Sequence, residues 1–234
     1  MNRAMSDATG TPQAARRIPL IRWAALGGIA YVVLFVIATL VAHGGTPGSS
    51  ASPAKVVSYY QSGSHRDKIA LGWFLAILGV FFFIWFLAAL RQAVRRLAGD
   101  GVLGMVTTIG GGIYATLTLV AFSIYAGVRT MSDDTYKLPD GHRAVDPLLI
   151  HAADDVWYVM HSAGGVAAGA MIIAASLATL ASARMPRWAA WLGVLAGISG
   201  IISIFLIPWF VIAAWLVIAS VIVFRAHVEA DATY

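Results

Sequence analysis

The chain has 234 residues, 59% of them hydrophobic and 12% charged, with a mean hydropathy of +0.79. Soluble domains carry about 25% charged residues, so the sequence lacks the charged surface that water demands and points to lipid as its solvent. Cysteine is absent, which excludes disulfides, thiolate metal sites and cysteine nucleophiles; the net charge of +5 comes without the aromatic-interleaved basic patch of a nucleic-acid binder.

The chain opens with a polar stretch, and residues 1–17 are expected to be a disordered tail. Arg16-Arg17 is a weak match to a twin-arginine signal, and a basic anchor beside the first span is the simpler reading. A spanning helix needs about 20 predominantly apolar residues. The first such segment covers 23–42, too long for the apolar region of a signal peptide. Its sequel "HGGTPGSSASP" is turn-rich. Ser52-Pro53 then signals a helix start, and Val56, Val57 and Tyr60 share one face, which predicts a short helix lying on the membrane surface.

Further spans are expected at about 69–90, 102–128 and 156–181. In the second, Trp73, Phe74, Phe81, Phe82, Phe83, Trp85 and Phe86 crowd one helix and face lipid and neighbouring helices all round. The loop after the third contains the turn "LPDG" and a second helix-start signal, Asp146-Pro147. The last apolar block, 188–224, would extend roughly 55 Å as one helix, far beyond a hydrocarbon core of about 30 Å. Pro208 is the natural break. Two short spans, 188–206 and 209–224, are expected there, with a kinked helix plus an interfacial tail as the alternative; 227–234 closes the chain as a second tail.

Charge sets the expected orientation. Arg3, Arg16, Arg17, Arg22, Arg91, Arg95, Arg96, Arg184, Arg187 and Arg225 fall on one side, ten of the sixteen Lys and Arg. The other side holds Lys55, Arg66, Lys68, Arg129, Lys137 and Arg143, offset by seven aspartates. The positive-inside rule places both termini in the cytoplasm. The expected fold is therefore all-α: a polytopic six-transmembrane-helix bundle over 18–226.

Small residues mark close packing. Gly165 and Gly169, and Gly193 and Gly197, are four apart, and Gly110 to Gly112 form a run. In lipid this spacing favours backbone approach, within one chain by default, or toward a membrane protein partner or a second copy. "RWAA" occurs at 22–25 and 187–190, more simply as repeated interfacial anchors than as a trace of duplication.

The pointed stretch is "HAADDVWYVMHSAGG", 151–165. On a helix His151, Asp155 and Tyr158 share one face, and Asp154, Tyr158 and His161 an overlapping one. His151, Asp154, Asp155 and His161 are the candidate catalytic set, with His151, Asp155 and His161 as an alternative metal set, because intramembrane ionisable groups are functional candidates and His–carboxylate clusters suit zinc. Against this, carboxylates at a helix N-terminus are favoured by the dipole alone, and no HExxH or HxxxH completes a set. A metal is not expected, and no cofactor; a haem between His43 and His161 would need equal depths. No charge falls in the middle of an expected span, which disfavours an ion channel or proton-coupled carrier. The expected function is an integral membrane helical bundle that binds a partner protein or a lipid-like ligand, with a small outward-facing His/Asp enzyme as the alternative.

"FFIWFLAALRQAVRRLAGDG" (82–101), the glycine-rich third span and "MPRWAAWLGVLAGISG" before a final hairpin resemble a group of small six-helix membrane proteins of high-GC actinobacteria. The resemblance covers about 20–225. It implies a six-helix bundle in the plasma membrane and carries no activity or catalytic residues.

Overall fold

The computed structural model describes residues 20–48, 50–130, 146–182, 187–202 and 208–232. The expected tail 1–17, the "LPDG" turn and the stretch 203–207 lie outside the described residues. Among those described there is no strand.

The helices are α1 (Leu20–Ala24), α2 (Gly27–His43), α3 (Pro53–Gln61), α4 (Gly63–Ala98), α5 (Val102–Thr130), α6 (Pro147–Ala181), α7 (Arg187–Ile201) and α8 (Pro208–Ala232). Among the described residues five segments are long and apolar enough to cross a membrane: 20–43, 63–98, 102–129, 147–181 and 209–226. The fold is thus an all-helical membrane bundle. α7, at 15 residues, reaches only about 22 Å, short of a hydrocarbon core.

Local chemistry explains the boundaries. α3 starts with Pro53 at its first turn, where the missing N–H is no loss. Its Val56 and Tyr60 are buried, as their shared face predicts. α6 starts likewise at Pro147, and the Asp146 carboxylate accepts a hydrogen bond from the Leu148 N–H at 2.9 Å. α4 stops at Gly99, whose φ of 77° suits a residue without a Cβ. α8 continues to Ala232, so the expected C-terminal tail is helical over most of its length.

Helices adjacent in the chain pack side by side: α2 on α4, α4 on α5, α5 on α6, α6 on α7 and α7 on α8, and α8 closes the ring against α2. Trp23 meets Phe224 with ring centroids 5.9 Å apart, so α1 and the late part of α8 lie at the same end of the bundle. α3 lies at the opposite end, against α4 and α6. Of the aromatic run in α4, Phe83 and Phe86 are buried while Phe74, Phe81 and Trp85 are exposed, consistent with a helix that divides its surface between core and lipid.

The glycines of α6 and α7 face each other within one chain. A Cβ on Gly169 would stand 2.5 Å from the Gly197 carbonyl oxygen, and one on Gly200 would stand 2.6 Å from that of Gly165. Only glycine allows this backbone approach. Gly193 fits against Ser176 and Trp215.

Candidate functional site

The α3 end of the bundle holds a buried ion pair. Arg129 is the last residue but one of α5, and its side chain is 1% exposed. Each of its three guanidinium nitrogens has a partner. Nε donates to the Tyr60 hydroxyl at 3.0 Å, Nη1 to the Tyr125 carbonyl at 3.1 Å, and Nη2 to the Asp154 carboxylate. The guanidinium carbon also lies 3.6 Å from the centroid of the Tyr125 ring, a cation–π contact. Asp154 is half-exposed. Tyr60 thus ties the short helix α3 to α5, and Asp154 ties α5 to α6. Burial raises the Tyr60 phenol above its ordinary value, with the charge of Arg129 pulling the other way.

From Arg129 an aromatic column descends into the bundle. His43 packs on Tyr125 with centroids 4.4 Å apart, and Trp157 packs on His43 at 4.9 Å. His161 follows against Trp157 at 4.2 Å, and Trp209 against His161 at 5.4 Å. His43 and His161 therefore flank one indole at different depths.

Trp209 marks where α8 begins. It stacks on Phe35 at 6.2 Å and lies against Tyr114 at 6.3 Å. Phe35 stands about two turns before the end of α2, and His161 about four turns after the start of α6. α8 thus starts short of the ends that its neighbours α2 and α6 reach. Above that start, α2 and α6 are not bridged by α8.

The gap holds a cavity of about 250 Å³. Tyr31, Phe35, Tyr114, Trp157, His161 and Trp209 form its inner wall. Val36, Leu40, Tyr158 and Phe210 stand at its rim and are exposed. The lining is almost wholly apolar. The Tyr31 and Tyr114 hydroxyls are hydrogen-bonded to each other, and Thr39 donates to the Phe35 carbonyl at 2.9 Å. His161 places Nδ1 3.0 Å from the Trp157 carbonyl. Its Nε2 is buried without a partner, as are the Trp157 Nε1 and the His43 Nε2.

The four residues singled out in the sequence separate. Asp154 turns inward to Arg129, and His161 reaches the cavity, at 4% exposure. Asp155 is exposed on another face, Tyr158 stands exposed at the cavity rim, and His151 is half-buried. Adjacent helical residues differ by about 100° around the axis, so the two aspartates of one dipeptide have different neighbours. Among the described residues no three His, Asp or Glu side chains converge as a metal set would require, and His151, Asp155 and His161 are not brought together. Asp154 is not simply a solvated helix end, because it is the counterion of a buried arginine. Arg129 itself, read from the sequence as a loop residue, is the functional-looking group that sequence reasoning missed. Its one signal was position: it follows directly on a 27-residue apolar run and lies four residues after Tyr125.

These features define a multi-pass helical membrane protein with a lateral apolar cavity. No protein family, curated protein or solved structure compared with the chain matches it.

Proposed function

We propose that the protein is a plasma-membrane bundle of six embedded helices that holds a lipid-like molecule in the cavity between α2, α6 and the start of α8. The observation that carries this reading is the cavity itself: its lining is almost wholly apolar, exposed apolar side chains stand at its rim, and it lies between helices long and apolar enough to cross a membrane. Sites for apolar ligands are concave, mostly apolar and furnished with few polar groups. A cavity of about 250 Å³ accommodates the end of a chain molecule whose remainder lies in the bilayer.

In this reading α7 and α8 form a short hairpin that enters and leaves on one side. The excess of arginine at 16–22, 91–96 and 184–187 supports that side being cytoplasmic, with both termini there. α3 then rests on the outer surface, held by Tyr60 and Arg129.

The test is to fill the cavity. Ala213 lines it on α8, and Ala213→Trp would occupy much of the space. Native mass spectrometry of the protein released from lipid nanodiscs is expected to show a bound apolar molecule in the natural protein and its loss in the variant. Equal retention in both, or none in either, would refute the proposal.

A further inference from the structure

We propose that the bound molecule is a neutral lipid whose polar group is a hydroxyl, received between His161 and Trp157. This rests on the lipid-binding reading above and narrows it to a ligand class.

The argument begins with the tautomer. A backbone carbonyl only accepts hydrogen bonds, so the contact of His161 Nδ1 with the Trp157 carbonyl at 3.0 Å puts the ring proton on Nδ1. Nε2 of the neutral ring is then a lone-pair acceptor. It is buried and unpartnered, a state that favours a ligand able to donate. Beside it, with ring centroids 4.2 Å apart, Trp157 presents an unpartnered buried indole N–H, which only donates. Both residues line the cavity.

A group that both donates and accepts meets both needs, and a hydroxyl is the smallest such group. A hydroxyl donates to His161 Nε2 and accepts from Trp157 Nε1. An ether or ketone accepts only. A carboxylate or phosphate also only accepts, and it requires a cation that the cavity lining lacks; Arg129, the nearest buried cation on the column, already has its three nitrogens engaged. An ammonium headgroup would need a lining carboxylate, and none is present among the lining residues. Both ring nitrogens are almost wholly covered, so seating the hydroxyl requires both to open toward the cavity. The hydrocarbon tail leaves past Val36 and Phe210, both exposed at the rim.

The experiment compares hexadecanol and its methyl ether, each carrying a diazirine near the oxygen, as photoprobes on the full chain in phosphatidylcholine nanodiscs. Labelled peptides are mapped by mass spectrometry. The alcohol is expected to label peptides of α2, α6 and α8 about tenfold more than the ether, the ratio set by one hydrogen-bonded group left unmatched, about 1.4 kcal/mol. His161→Phe should retain labelling but lose the preference, and His161→Gln, whose amide oxygen accepts, should keep part of it. Equal cavity labelling by both probes in the natural protein overturns the hydroxyl assignment and leaves the lipid-binding reading standing. Absence of cavity labelling by either probe overturns both.

Discussion

The asymmetry of the Arg129–Asp154 pair gives an unusual ordering of mutational costs. Arg129 is 1% exposed and Asp154 44%. Asp154→Ala leaves a guanidinium with the Tyr60 hydroxyl, the Tyr125 carbonyl and the Tyr60 and Tyr125 rings, and no counterion. Removing one partner of a buried pair costs about 3–5 kcal/mol. Because Asp154 keeps some hydration in the folded protein, the lower end applies, about 3 kcal/mol. Arg129→Met removes the buried charge together with its pair. The Asp154 carboxylate then hydrates where it stands, and the loss is mainly the hydrogen bond to Tyr60, about 1 kcal/mol. The double variant should resemble Arg129→Met alone, which makes the coupling energy about 3 kcal/mol, well outside the additive range. Reversible unfolding in mixed dodecylmaltoside and SDS micelles, followed by circular dichroism, measures all three. If Arg129→Met costs as much as Asp154→Ala, or if the single effects add, the claim of a buried arginine dependent on its carboxylate is wrong.

Other consequences are open to direct measurement. Gly169→Leu places side-chain atoms where the Gly197 carbonyl stands and should cost about 1–3 kcal/mol in the same unfolding assay, whereas Gly112→Leu, with open space beyond its Cα, should cost far less. Tyr60→Phe removes one hydrogen bond to Arg129 and should loosen α3, read as faster cleavage within 44–62 by protease added to the α3 side. The raised Tyr60 phenol is proton-bound in the folded state, so the docking of α3 is at full strength below about pH 10 and weakens as pH rises through the raised value; Tyr60→Phe should remove that part of the pH dependence. Reporter domains fused before Met1 and after Tyr234 should both report the cytoplasm, and opposite locations would refute the paired short helices α7 and α8.

What the sequence revealed follows from physical range. The long apolar runs are a property of contiguous residues, and among the described residues five helices are of spanning length. The surface helix was legible because Ser52-Pro53 marks its start and Val56 and Tyr60 share a face; Asp146 announced α6 in the same way. His161 stood out as an ionisable group inside an apolar run. The role of Asp154 did not, since its counterion lies 25 residues earlier in the chain and the pairing exists only once α5 and α6 pack. The separation of Asp154 from Asp155 depends on the rotation of one helix against its neighbours. The cavity was invisible for a similar reason. It is made by where α8 starts relative to Phe35 and His161, a relation between three helices that no local pattern encodes.

The proposal that the cavity opens to lipid is tested most directly by a spin label at its wall. The chain has no cysteine, so Ala213→Cys provides a unique attachment point facing the gap between α2 and α6. In nanodiscs the label should collide with oxygen, which concentrates in hydrocarbon, far more often than with a water-soluble nickel chelate. Collisions dominated by the nickel chelate would show an aqueous cleft and contradict the account.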